Sequence, residues 1–156
     1  MDENKNEYYI DKLKTTKGFL ILLGFYIDKV AYITPSYYRY IHEDENADGF
    51  INSENNEFVY IKRRNFNKFL SFVLNDNISI KDWIDEFILE NRRFVSQSHK
   101  FGKSTLFIKI DRRIISPIID KKFIHSNLDI PHTKIPYLYD YIANAIDKYR
   151  ELSRKK

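Results

Sequence analysis

Asp44, Asn46 and Asp48 place a side-chain oxygen at every second position of an acidic stretch, Asp44 to Asn55, that continues with Gly49, Phe50, Ile51, Asn52, Ser53 and Glu54. Carboxylate and amide oxygens are the donors that a hard cation takes. Other chemistry is thinly represented. Of the histidines His42, His99, His125 and His132, no two are spaced to share a metal on one helix face. The chain has no cysteine, which excludes disulfides, thiolate metal sites and thiol nucleophiles. Gly102-Lys103-Ser104 lacks the upstream glycine of a phosphate-binding loop. A loop over 96–104 makes His99 the best single candidate for catalysis, with Arg92 and Lys103 as phosphate ligands. A pairing of His99 with Ser98, or of His125 with Asp129, would have to come from the fold.

The Asp44–Asn55 stretch resembles the calcium loop of EF-hand proteins over those residues. The resemblance implies ligands from Asp44, Asn46, Asp48, the Phe50 carbonyl and, through water, Asn52, with Gly49 at the sharp turn. The pattern departs at its last position, where a bidentate carboxylate is required and Asn55 stands; Glu54 and Glu57 flank that position without filling it. The segment after the loop reads as a strand and not as the exiting helix. No cofactor is expected, and calcium stands as the secondary reading of this loop.

Charge is unevenly placed. Residues 1–57 carry 6 basic and 11 acidic side chains, whereas residues 58–156 carry 20 and 11, for a net charge of +4. Tyrosine is abundant, with 12 residues, and Tyr37, Tyr38 and Tyr40 directly precede the acidic stretch. Tyrosine gives contact area at low entropic cost and favours interfaces. Tyr37, Tyr38, Tyr40, Asp44, Glu45, Asp48, Glu54 and Glu57 therefore form a candidate protein-binding set. Lys62, Arg63, Arg64, Arg92, Arg93, Arg112 and Arg113 form the alternative, a basic face for nucleic acid, provided that the fold brings them together.

The elements that must position these residues are read from periodicity. The expectation is a single α+β domain over 1–156, with a small antiparallel or mixed sheet of about four strands packed against three or four helices on one side. Residues 1–7 read as frayed, Tyr8–Lys14 as a short helix, and 42–57 as an acidic surface loop. Phe19–Ile27 and Val30–Thr34 read as two strands on their aromatic and β-branched content, with one longer helix as the alternative. Ser36–Glu43 reads as a helix and Phe58–Lys62 as a strand. Phe66, Phe69, Leu70, Val73 and Leu74, then Ile80, Trp83, Ile84, Phe87 and Ile88, each mark a helical face, and Ser79 reads as an N-cap. Residues 96–103 read as a loop and Thr105–Asp111 as a strand; 114–128 fits helix or strand. Leu138, Ile142, Ala145, Tyr149 and Leu152 mark a final helix from Tyr137, with Pro136 at its first position.

The first apolar run, Gly18 to Ile27, is half the length of a membrane span, and no secretory signal is visible, so a cytoplasmic location without membrane insertion is expected. The expected function is non-enzymatic binding of a basic protein partner. The size, the acidic loop and the tyrosine excess resemble the general look of bacterial immunity proteins, antitoxin-type inhibitors that occlude a toxin. A nucleic-acid-binding protein and a small enzyme using His99 are the alternatives.

Overall fold

A computed structural model of the protein describes residues 2–52, 58–76, 79–98 and 105–154. The chain has an α+β fold. Helices α1 (Asp2–Leu13) and α2 (Thr16–Phe25) lead through a π-helical turn (Tyr26–Val30) into β1 (Ile33–Thr34), α3 (Tyr37–His42), β2 (Gly49–Asn52) and β3 (Phe58–Lys62). Then follow α4 (Arg63–Val73), α5 (Ser79–Glu90), β4 (Val95–Ser98) and β5 (Phe107–Asp111). A 3-10 turn (Arg112–Ile114), α6 (Ile115–Ile118), α7 (Lys121–Leu128), a second 3-10 turn (His132–Lys134) and α8 (Ile135–Arg154) complete the chain. The mixed sheet has the order β1-β2-β3-β5-β4, with β1 parallel to β2 and the other pairs antiparallel.

The two faces of the sheet are packed differently. Val59, Ile61, Ile108, Ile110 and Val95 share the face that meets the main core, built by α1, α2, α4, α5, α7 and α8. Phe50, Tyr60 and Phe107 share the other face and form a second, aromatic core with Tyr40 and Ala47. Its rings contact closely: Phe50 stacks on Tyr60 at 5.0 Å, and Phe50 meets Tyr40 at 5.1 Å and Phe107 at 5.4 Å. This is the period-2 alternation of strand side chains with both faces occupied.

Several expectations are corrected. The sheet has five strands instead of about four, the described residues hold eight α-helices instead of three or four, and α3 lies on the sheet face opposite the main core. The expected strands Phe19–Ile27 and Val30–Thr34 are α2 and the π-helical turn, with only Ile33–Thr34 left as strand. Leu20, Ile21, Leu22 and Leu23 are all fully buried, so α2 has no polar stripe and its sequence carries no helical period. The start signal is Thr15, whose side chain accepts from the Gly18 amide. Residues 2–7 belong to α1 and are not an irregular end. The acidic stretch is not loop throughout: Gly49–Asn52 is a strand, because Phe50 is wholly buried and pulls the segment onto the sheet. Val95–Ser98 is also strand instead of loop. The uncertain 114–128 region is helical. The remaining helices and strands fall where periodicity places them to within a few end residues, and Ser36 caps α3; Ser79, expected as an N-cap, is instead the first residue of α5, and Pro136, expected first, is second in α8.

Gly49 illustrates why position outweighs motif. A Cβ there would lie 2.0 Å from the Tyr60 main-chain oxygen, so glycine is required by the close approach of β2 and β3. Gly18 is required similarly, because a Cβ would lie 2.1 Å from the Leu13 carbonyl oxygen where α1 turns into α2.

Candidate functional site

The acidic corner is organised around Asp48. Its main-chain N–H donates to the Tyr32 carbonyl and its carbonyl accepts from the Lys62 N–H, both at 2.8 Å. Its carboxylate accepts from the Tyr32 N–H at 2.8 Å through one oxygen and from Asn65 Nδ2 at 2.8 Å through the other. Burial first, and then the nearby Asp48 charge, push the Tyr26 phenol far above its ordinary value. One half-buried residue thus ties together the approach to β1, the start of β2 and the first turn of α4. Such hydrogen bonds to a charged acceptor are worth more than neutral ones, about 1.5–3 kcal/mol each.

What Asp48 positions is Tyr32. Its backbone is fixed in both directions by Asp48, and yet 57% of the residue is exposed. The Asp44 carboxylate lies near the Tyr32 hydroxyl and pushes the phenol above its ordinary value. Arg39 and Glu43, joined by an ion pair at 2.9 Å, lie close enough to act on the same hydroxyl. One ridge further around α3, Tyr38 is 65% exposed and its ring lies against His42 at 4.5 Å. Glu45 and Asn46 are exposed beyond the helix, and the Glu45 carbonyl accepts from Lys62 Nζ at 2.7 Å. Ala47, buried between them and β2, anchors the turn. The result is a surface of two exposed tyrosines, two exposed acids, Glu43 and Glu45, and the half-buried Asp44, on a braced backbone.

The structure redistributes the residues expected to bind a protein. Tyr38, Asp44 and Glu45 lie on this surface. Tyr40 does not: it is buried in the aromatic core, where Lys62 Nζ sits 5.2 Å from its ring. Tyr37 is half-buried against Phe50 at 5.0 Å. Asp48 faces inward. Glu54 and Glu57 lie outside the described residues, as do His99 and Lys103. Tyr32 was missed because its aromatic ring among strand formers read as strand; nothing in the sequence separates it from its neighbours.

The EF-hand ligand set is not assembled. Both Asp48 carboxylate oxygens are taken by protein donors. The bond from Lys62 N–H to the Asp48 carbonyl fixes the ladder so that Phe50 exchanges main-chain bonds with Tyr60, which commits the Phe50 carbonyl to β3. Asn52 lies opposite Phe58 in the same ladder, while Asp44 faces Tyr32 and Asn46 is exposed. Among the described residues, no three His, Asp or Glu side chains are grouped to hold a metal ion.

The basic set is split. Lys62, Arg63 and Arg64 lie at one end of β3, beside the Phe107 end of β5. Arg92 and Arg93, in the turn before β4, and Arg112 and Arg113, directly after β5, lie at the other end. Four residues of strand separate the two ends, about 13 Å. Arg63 is paired to Asp85 at 2.7 Å, and Arg113 to Asp111 at 2.7 Å, which holds the Asp111 carboxyl below its usual range. His125 stacks on His132 at 3.8 Å and its Nδ1 meets the Ile130 carbonyl at 2.7 Å, so it does not face Asp129 through that nitrogen. Among the described residues, no helix is long and apolar enough to cross a membrane. No family model, curated protein or solved structure matches the chain.

Proposed function

We propose that the protein binds another protein with a basic docking surface through Tyr32, Tyr38, Glu43, Asp44 and Glu45, and acts by occlusion. What supports this reading most is Tyr32: an aromatic side chain more than half exposed, on a backbone held in both directions by Asp48, with the Asp44 carboxylate near its hydroxyl. An exposed aromatic that is already ordered binds with little further entropic cost, which is the property of an interface anchor. The surrounding carboxylates would steer a cationic partner and exclude neutral ones. An inhibitor that covers the basic cleft of a toxin is the particular class this surface suits.

The test begins with cross-linked capture from source cells after nuclease treatment, followed by affinity measurement with the purified partner. Replacing Tyr32 and Tyr38 together by alanine is expected to weaken binding on the order of 10–100-fold without loss of fold. Glu45→Lys is expected to slow association and to reduce its salt dependence. Full-strength binding by these variants would remove the reading. So would salt-sensitive binding to random RNA that is lost when Arg92, Arg93 and Arg112 are replaced by glutamate, the outcome that a nucleic-acid-binding protein requires.

A further inference from the structure

We propose that the outer edge of β4 is a docking site for an extended acidic peptide, which joins the sheet as an added strand. The inference is independent of the acidic corner and rests on the hydrogen-bond parity of the sheet. Arg63 N–H donates to the Leu106 carbonyl at 3.0 Å, in register with the pairs Ile61–Ile108 and Val59–Ile110. In an antiparallel ladder, bonded pairs alternate, so Leu106, Ile108 and Ile110 turn their main-chain groups toward β3. Phe107, Lys109 and Asp111 therefore turn theirs toward β4, where Ser98 and Ser96 stand opposite Phe107 and Lys109. Val95 and Gln97 are left pointing away from the sheet. The Val95 N–H is used by the Asn91 carbonyl at 3.0 Å, which confirms the parity and closes the near end of the edge.

What remains is the Val95 carbonyl and both main-chain groups of Gln97, for which the described residues supply no hydrogen-bond partner. Gln97 is exposed, as is Ser96. Its side chain is held aside by Arg63 and Asp85, leaving the backbone accessible. Sheet proteins guard such edges with lysine, proline or a bulge; Val95-Ser96-Gln97-Ser98 has no lysine or proline, and its register runs without interruption. An edge that offers a carbonyl, an N–H and a carbonyl in order matches the backbone of an extended chain. Nucleic acid has no such alternation, so the geometry favours a peptide.

Charge decides which peptide. Arg92 and Arg93 occupy the turn that leads into β4, and Arg112 and Arg113 lie at the same end of the sheet, all exposed. Two acids close to the edge have arginine partners: Asp85 with Arg63 at 2.7 Å, and Asp111 with Arg113 at 2.7 Å. The edge therefore complements carboxylates.

The experiment uses the full chain, labelled with nitrogen-15, and an acetylated, amidated peptide of alternating glutamate and threonine as probe. In the free protein, the Gln97 amide is expected to exchange with solvent at least tenfold faster than those of Ser96 and Ser98. Saturation with the glutamate peptide should slow Gln97 exchange about tenfold, and the alternating lysine–threonine peptide should bind at least tenfold more weakly. Gln97→Pro deletes an N–H that no described residue uses, and should abolish peptide binding; Arg92→Glu with Arg93→Glu should weaken it about tenfold. If Gln97→Pro does not fold, the exchange pattern of the unmutated protein still decides. Equal protection of Gln97, Ser96 and Ser98 in the free protein would overturn the proposal, as would undiminished binding to folded Gln97→Pro. Protection of Gln97 that grows with protein concentration alone would assign the edge to self-association and also overturn it.

Discussion

The acidic corner and the arginine-bearing end of β4 and β5 carry opposite charge and are held in opposite ways. At the corner, one acid is drawn inward: Asp48 accepts from Tyr32 and Asn65, and the exposed Glu43 and Glu45, with the half-buried Asp44, stand on a backbone it has fixed. At the arginine end the cations remain in solvent, and the pairs they make, such as Arg113 with Asp111, are local and exposed. A run of like charge in a sequence therefore says little about rigidity. What separates the two regions is whether one member of the run is positioned to satisfy buried donors.

The comparison is broken most directly at Gly49. Placing alanine there drives a Cβ into the Tyr60 carbonyl, and neither strand can move away without leaving the ladder. The loss should be about 3 kcal/mol or more by denaturant melting, an upper-end overpacking cost.

Asp48→Ala comes next. It removes the acceptor of the Tyr32 amide and of Asn65 Nδ2, so a loss of roughly 2–4 kcal/mol is expected. For a chain of this length, each kcal/mol is about 2–4 °C of Tm. Asp44→Ala should cost far less, since Tyr32 is exposed, and equal losses for the two variants would erase the distinction between inner and outer acids. Calcium sharpens the same point: calorimetric titration to millimolar calcium should release no heat above buffer, because the Asp48 carboxylate and the Phe50 carbonyl already have protein partners.

Alkaline pH provides a smaller effect. Burial pushes Tyr141 up to about 12, and its hydroxyl donates to the Val73 carbonyl; Tyr26, Tyr139 and Tyr149 are raised as well. A phenol raised in the folded state retains its proton after the unfolded chain has lost it. The stability it contributes is full below about pH 10 and is lost as pH rises toward 12. Tyr141→Phe should cost about 1 kcal/mol at neutral pH and flatten that alkaline decline.

The smallest effect lies at the arginine end. Asp111 is depressed by its hydrogen bonds from Arg113, so its contribution is present above the unfolded carboxylate range and fades as pH falls through the depressed value. Because the pair is exposed, Arg113→Ala should change stability by less than about 0.5 kcal/mol at neutral pH. A change as large as that of Asp48→Ala would show that the two regions are held alike.

Helices with one apolar stripe were legible in the sequence because a half-exposed helix must repeat every 3.6 residues. Phe66 to Leu74, Ile80 to Ile88 and Leu138 to Leu152 all fall on α4, α5 and α8, give or take an end residue. The strand Phe58–Lys62 was legible for the same reason at period two. A wholly buried segment has no such period, and Leu20 to Leu23 gave none, so the helix there is written only by Thr15 at its start and by the packing around it. The candidate site was legible as a place and not as a list. Composition located the acids and tyrosines of 37–48, whereas Tyr40 and Tyr38, two residues apart, were divided between core and solvent by the direction α3 faces.

The sequence by itself determined an α+β chain without cysteine chemistry, with its negative charge gathered early and its positive charge late. Those are properties of residue types and of local periodicity, which survive any arrangement of the elements. Tertiary structure alone decided that Asp48 turns inward, that Gly49 serves a strand contact, that the arginines divide between two ends of the sheet, and that Gln97 faces outward. Each depends on which residue stands opposite which across the sheet, and that pairing is set by long-range packing of the two cores, to which no single segment of the sequence refers.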